Sequence, residues 1–211
     1  MKYEGLIFDL DGVLVTTDSY HYLAWKKLSD EIGVYFDEKI NNRLRGVSRM
    51  ESLEIILERA EKEFTQDEKI SMAEQKNVYY KKLLENLDDN ALINGAKEFV
   101  MTVREKGVKT AIGSSSKNAM MILKKTNILS LFDAVADGND IQNSKPAPDV
   151  FLKAAEKLGV QPETCLVIED AVAGVSAAIS AGMDVVAVGD AKKDIRATYC
   201  VQDLKVLKNI L

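Results

Sequence analysis

Five short apolar runs set the architecture open to this chain: Leu6-Ile7-Phe8, Val108 to Ile112, Ala134-Val135-Ala136, Cys165 to Ile168 and Val185 to Val188. Each stops at an acid or a glycine: Asp9, Gly113, Asp137, Glu169 and Gly189. Continuous rather than alternating apolar sequence marks strands covered on both faces, as in a parallel sheet. Helical patterns fill the intervals at about 95–106, 117–126, 148–159 and 171–181. Gly107, Gly159 and Gly182 follow three of them, where a left-handed residue closes a helix. Strand and helix in alternation predict an α/β, doubly wound (Rossmann-like) parallel-sheet core.

Residues 17–87 break that rhythm. All three prolines of the chain lie later, and the segment holds only two glycines, Gly33 and Gly46. Ser48-Arg49-Met50-Glu51 and Thr65-Gln66-Asp67-Glu68 both fit a capping box, and Leu53, Ile56 and Leu57 continue an apolar stripe at helical spacing. The expectation is an inserted α-helical domain at 17–87, with residues 1–16 and 88–211 forming one discontinuous core. A length of 211 residues suits one domain with an insertion. Val15-Thr16-Thr17 and Asp88 to Asn94 are the two connections, and two connections permit a hinge.

Composition narrows the function classes. With 28 Lys+Arg against 33 Asp+Glu, a net charge of −5 disfavours a nucleic-acid partner, which needs a basic stripe. A small phosphorylated ligand needs only a few local cations and stays open. Two cysteines, Cys165 and Cys200, make no disulfide framework and fit a reducing compartment. No apolar stretch has the length of a membrane span, and Asp9 interrupts the N-terminal segment before any secretory core. The expectation is a cytoplasmic monomer without a membrane or nucleic-acid partner.

Four motifs carry chemistry. Phe8-Asp9-Leu10-Asp11-Gly12 sets two carboxylates at the carboxyl end of the first run, the edge where open α/β sheets bind ligands. Neighbouring acids need a cation or a shared proton, and magnesium, a hard ion held by carboxylates, phosphate and water, fits them. Alone, the pair equally suits a turn acid beside a surface acid. Gly113-Ser114-Ser115-Ser116-Lys117-Asn118 follows the second run, and hydroxyls and N–H groups at a helix start bind phosphate. Its spacing is not that of a P-loop, and capping by Ser116 explains the serines without any ligand. Lys145, in Ser144-Lys145-Pro146-Ala147-Pro148-Asp149, precedes a proline that favours extended backbone. Pro148 suits the first turn of a helix. Glu169-Asp170 ends the fourth run, and parallel strands bring the ends of the first and fourth into one crevice. The combination of the four, each at a strand end, points to phosphoryl chemistry.

In this order and over nearly the whole chain, the four motifs resemble the haloacid dehalogenase superfamily of aspartyl-phosphate enzymes. The 17–87 insertion is similar to its small helical cap. Within that superfamily Tyr20-His21, Trp25, the stretch Leu44-Arg45-Gly46-Val47-Ser48-Arg49, Ser52, Lys76-Asn77, Ser114 to Asn118 and Lys145 to Asp149 resemble the β-phosphoglucomutase group. Arg45 stands where lysine is more usual, and Ala171 where serine is common.

The resemblance implies Asp9 as nucleophile and Asp11 as general acid/base. It implies Mg2+ held by Asp9, the backbone carbonyl of Asp11, Asp170 and, directly or through water, Glu169. Lys145, Ser114 and Ser115 would hold the transferring oxygens. Arg49 would grip a second phosphate, with Ser116, Lys117 and Asn118 meeting it from the core. Thr17, His21 and Lys76 would link cap closure to Asp11, and Arg45, Gly46, Val47, Ser52 and Trp25 complete the substrate set. As bare residues, His21 reads equally as structural and Trp25 as packing. The implied reaction interconverts β-D-glucose 1-phosphate and β-D-glucose 6-phosphate, with β-glucose 1,6-bisphosphate as primer. A sugar-phosphate phosphatase shares every core motif and remains open. A dehalogenase needs neither Asp11 nor magnesium, and a receiver domain carries its phosphorylated acid after the third strand. A non-catalytic phosphosugar sensor is the alternative outside catalysis.

Overall fold

The computed structural model describes residues 2–45 and 47–207, with the side chain of Lys205 outside that description. The chain separates into two compact units, Met1–Thr16 with Asp88–Leu211, and Thr17–Leu87.

The discontinuous unit is built on a six-stranded sheet: β1 (Gly5–Phe8), β2 (Lys109–Gly113), β3 (Ala134–Ala136), β4 (Cys165–Glu169), β5 (Asp184–Ala187) and β6 (Tyr199–Cys200). Their order is β3-β2-β1-β4-β5-β6, every pair parallel. β1 is central because Leu6, Ile7 and Phe8 can be buried on both faces. Successive side chains alternate in direction. Ile7, Ala111, Val167 and Val185 pack with Val150, Phe151 and Ala154 of α7 (Asp149–Leu158) and with Val175 and Ala178 of α8 (Val172–Ser180). Phe8 points the other way and meets Phe99 of α5 (Ala96–Glu105), ring centroids 6.0 Å apart. Helices on both faces make this the doubly wound fold the apolar runs predict.

The other unit contains α1 (Asp18–Glu31), α2 (Glu38–Asn42), α3 (Arg49–Leu57) and α4 (Gln66–Leu84). Both expected capping boxes form, Ser48 with Glu51 and Thr65 with Glu68, each side chain answering the other residue's backbone N–H. Trp25, Leu28, Phe36, Ile40, Leu53 and Ile56 make its core. In the discontinuous unit the two connections lie side by side: Val15 pairs antiparallel with Leu92, and Thr16 N donates to Ala91 O at 2.9 Å.

Local readings change in three places. The helix after β2 is short, α6 (Ala119–Lys125), with Asn118 at its N-cap; Ser116 Oγ accepts from Asn118 N at 3.2 Å and caps the turn before the helix. Ser114 and Ser115 therefore sit in a loop, not at a helix start. Pro148 takes the N-cap position of α7 rather than its first turn, and the Lys145–Pro146 bond is cis. The sixth strand, two residues long, lacks an apolar run and escapes any periodicity argument. A short final helix, α9 (Leu204–Leu207), follows it.

Candidate active site

Strand register assembles the site. Phe8 lies opposite Ile168 in the β1–β4 ladder, and Asp9 N donates to Ile168 O at 2.9 Å. Asp9 and Glu169 therefore leave neighbouring strands together, with Asp170 next along the chain. The carboxylates of Asp9, Glu169 and Asp170 offer oxygens within 4.8 Å of one another. Asp11 lies outside that trio; its backbone bridges to Val15, and its charge reaches Asp170.

Two glycines make the crowding possible. Gly12 has φ +83°, and a Cβ there would come within 2.0 Å of Asp170 Oδ2. Gly174 lies in α8, where a Cβ would fall 2.0 Å from Glu169 Cδ. The missing side chain lets the helix press against the buried acid. A lone glycine in a helical pattern about one turn after an acid pair is the sequence signal for this, since glycine costs a helix about 1 kcal/mol and needs a packing reason.

Lys145 crosses from the β3–α7 loop into the acid cluster. Its Nζ donates to Asp9 Oδ1 at 2.5 Å and to Glu169 Oε2 at 2.8 Å, all three groups being buried. The Phe151 ring covers the ammonium, 4.7 Å away. Glu169 Oε1 accepts the backbone N–H of Asp170 and of Ala171, at 3.1 and 3.0 Å. Both oxygens of Glu169 are thus engaged, whereas Asp170, the third acid of the trio, sits against the charge of Glu169. Burial pushes the Asp9 carboxyl well above the usual carboxylate range, helped by Glu169 and Asp170 and opposed by Lys145. Burial, then the charge of Glu169, pushes Asp170 up to about 7. Asp9 and Glu169 in turn raise Lys145 well above the ordinary lysine value, overcoming its burial.

With all three carboxylates ionised, one ammonium leaves two negative charges unbalanced, the charge of one divalent cation. Hard oxygen donors in that number fit magnesium.

The serine loop runs beside this cluster. Ser114 N donates to Ala136 O at 3.1 Å, fixing the loop to the end of β3, and Ser114 Oγ accepts from Ser116 N at 3.2 Å. Lys145 N donates to Ser115 Oγ at 3.4 Å, linking the lysine to the loop. Lys117 is exposed and Asn118 buried.

Within the helical unit, a second group of charges forms. Arg49 opens α3, and its Nη2 donates to Asn77 Oδ1 at 3.1 Å. Lys76 is 2% exposed, with its ammonium 4.8 Å from the Trp25 ring centre and 4.6 Å from that of Tyr80. That ammonium lies 2.8 Å from His21 Nδ1. An ammonium can only donate, so Nδ1 is the acceptor and His21 is neutral, with its proton on Nε2. Burial, then the charges of Lys76 and Arg49, hold His21 well below the ordinary imidazole value.

Tyr80, which the sequence reading passed over, lies over His21 at 4.1 Å between ring centres and donates its hydroxyl to Thr17 Oγ1 at 3.0 Å. Its spacing from Lys76, four residues along α4, was the available signal. Trp25 is 2% exposed within the apolar core of this unit, its ring 4.8 Å from the Lys76 ammonium. Arg45 pairs with Asp18 at 3.2 Å on the surface, Val47 is partly exposed and Ser52 buried, while Gly46 lies outside the described residues.

Known proteins place this arrangement. The model of the haloacid dehalogenase-like hydrolases matches residues 3–182. A β-phosphoglucomutase of Bacillus subtilis strain 168 is 41% identical over 94% of this chain and 89% of its own. A fructose-1-phosphate phosphatase of Escherichia coli strain K12 is 32% identical over 88% of this chain and 96% of its own. The crystal structure of a β-phosphoglucomutase from Clostridium difficile superposes with a TM-score of 0.90 at 40% identity, covering 99% of this chain and 95% of that one. With its acids at adjoining strand ends and a buried lysine between them, the chain belongs to the haloacid dehalogenase-like hydrolase family.

Proposed function

We propose that this protein is a magnesium-dependent phosphomutase that interconverts β-D-glucose 1-phosphate and β-D-glucose 6-phosphate through an aspartyl phosphate on Asp9. The observation that carries the reading is Lys145 bridging Asp9 and Glu169 inside the acid trio.

An oxygen of Asp9 attacks phosphorus, the P–O bond to the sugar breaks, and Asp11 donates a proton to the departing sugar oxygen. In the second half, Asp11 takes the proton from a sugar hydroxyl as that oxygen attacks the phosphoryl group on Asp9. Lys145 and the Ser114–Ser115 loop hold the oxygens of the migrating group. Asp9, Asp170, the Asp11 carbonyl and Glu169, the last through water because both its oxygens are occupied, would hold Mg2+. When bound, that ion offsets the charge of the carboxylates and of the phosphoryl oxygens.

A mutase must also hold the phosphate that is not reacting. Arg49, with Asn77 steadying its guanidinium, is the ligand in the helical unit, because a forked cation suits a phosphate. Ser116, Lys117 and Asn118 are the proposed ligands of a non-reacting phosphate in the core unit. Neutral His21 accepts from Lys76 and Tyr80 donates to Thr17, and the two pairs meet where the Tyr80 ring lies against His21, together ordering the start of α1.

A phosphatase is the second reading, supported by the 32% identity to the fructose-1-phosphate phosphatase. A coupled assay for glucose 6-phosphate, given β-glucose 1-phosphate, β-glucose 1,6-bisphosphate and Mg2+, separates the two. The mutase reading expects isomer to form faster than inorganic phosphate. Release of phosphate without isomer would establish the phosphatase. Arg49→Ala should reduce isomerisation more than phosphate cleavage.

A further inference from the structure

We propose that the turn Asp137–Asp140, which follows β3, is a brace that sets the backbone of Ser116 and Lys117, with Asn139 as its positioning residue. This rests on the reading of Ser116, Lys117 and Asn118 as ligands of the non-reacting phosphate. Gly138 N donates to Ser116 O at 3.3 Å, and Asn139 Nδ2 donates to Lys117 O at 3.1 Å. Two consecutive carbonyls of the serine loop are thereby tied to one turn. Gly138 presses so close that a Cβ would lie 2.4 Å from Ser115 O and 2.9 Å from Lys117 N.

The turn itself is rigid. Asp137 is 5% exposed, and its Oδ1 accepts both Asn139 N at 2.8 Å and Asn139 Nδ2 at 3.0 Å. Asp140 Oδ2 accepts Asp137 N at 2.9 Å and Lys157 Nζ at 2.7 Å, anchoring the turn to α7; Lys157 also donates to Val135 O at 2.7 Å. A carbonyl held in place fixes the peptide plane, and so fixes where the next N–H points. The brace therefore controls the aim of the loop's N–H groups and of Lys117. Asn139 is exposed and fills no core space, so its removal leaves folding intact.

Three measurements on Asn139→Ala test this. Losing one such hydrogen bond should raise KM for β-glucose 1-phosphate about fivefold with kcat little changed. Loading of Asp9 by a small acyl phosphate, which carries no second phosphate, should keep its wild-type rate. Backbone amide exchange at Ser116 to Asn118 should accelerate. Asp137→Asn keeps the accepting oxygen and should behave as wild type, whereas Asp137→Ala should copy Asn139→Ala. Unchanged exchange in the loop overturns the brace, whatever sugar the protein uses. An equal loss with both phosphoryl donors, or a fall in melting temperature with no change in KM, also overturns it. A wild type that turns over no hexose phosphate defeats the functional reading instead, and the exchange result then decides the brace by itself.

Discussion

Replacing Lys145 by methionine should expose how much of the core unit's stability depends on one ammonium. The substitution keeps an unbranched apolar stem only one heavy atom shorter, so the packing against Phe151 survives and the change is chiefly one of charge. Asp9 and Glu169 lose their shared cation at 2.5 and 2.8 Å while remaining buried. Removing one partner of a buried pair costs about 3–5 kcal/mol, a large fraction of the roughly 5–15 kcal/mol available to a domain. Protonation tempers that cost, at about 1.4 kcal/mol per unit of pKa shift. Asp9, already pushed well above the usual carboxylate range by burial, loses the cation that opposed that rise, so the folded state holds an extra proton and stability falls as pH rises. The deficit should therefore be near its full size at pH 8 and shrink towards pH 5. Urea denaturation in the presence of a chelator measures it. Saturating magnesium should restore more stability to Lys145→Met than to wild type, because the ion replaces the missing charge; binding at a hundredfold over Kd contributes about 2.7 kcal/mol. A variant as stable as wild type at pH 8 in chelator would refute the electrostatic account.

Three further outcomes follow from the same geometry. Asp170, raised to about 7 from an ordinary 3.8, stabilises the metal-free fold only while protonated. Chelated wild type should lose up to about 4 kcal/mol between pH 4 and pH 7, and Asp170→Asn should recover it while abolishing magnesium binding in calorimetry. Gly174→Ala should destabilise by about 1–3 kcal/mol in thermal unfolding despite alanine's better helix propensity, because its Cβ displaces Glu169; it should also weaken magnesium binding. His21, held neutral, makes the helical unit acid-sensitive: below about pH 6.5 the unfolded chain gains a proton that the fold refuses, costing about 1.4 kcal/mol per pH unit. His21→Gln should flatten that slope.

Strand ends were the legible part of this molecule. A run such as Leu6-Ile7-Phe8, one of five at wide spacing, reads as a strand covered on both faces, and an acid directly after such a strand emerges at the sheet's carboxyl edge. The fold and the placing of Asp9 and Glu169 follow from that local logic. Capping boxes are likewise local, and Ser48 and Thr65 could be read in isolation. Contacts made in tertiary space were not legible. Lys145 finds Asp9 across 136 residues of sequence, and the close approach of Gly174 to Glu169 depends on how α8 docks. Ser116 shows the same limit: a serine before a helical pattern reads as a cap, yet the chain takes one more turn before α6 begins. Trp25 was open in both directions, since a tryptophan beside a histidine on one helix face reads equally as packing or as a sugar contact, and only tertiary structure reveals its burial. The brace at Asp137 and Asn139 had no motif at all, only an Asp-Gly-Asn-Asp stretch that reads as an ordinary turn.

The most direct test of the account is to find the phosphorus. Wild-type protein mixed with magnesium and β-glucose 1,6-bisphosphate, quenched in acid and mapped by peptide mass spectrometry, should carry one phosphoryl group on Asp9, and Asp9→Asn should carry none. Turnover of the sugar phosphate with Asp9 never modified would contradict it.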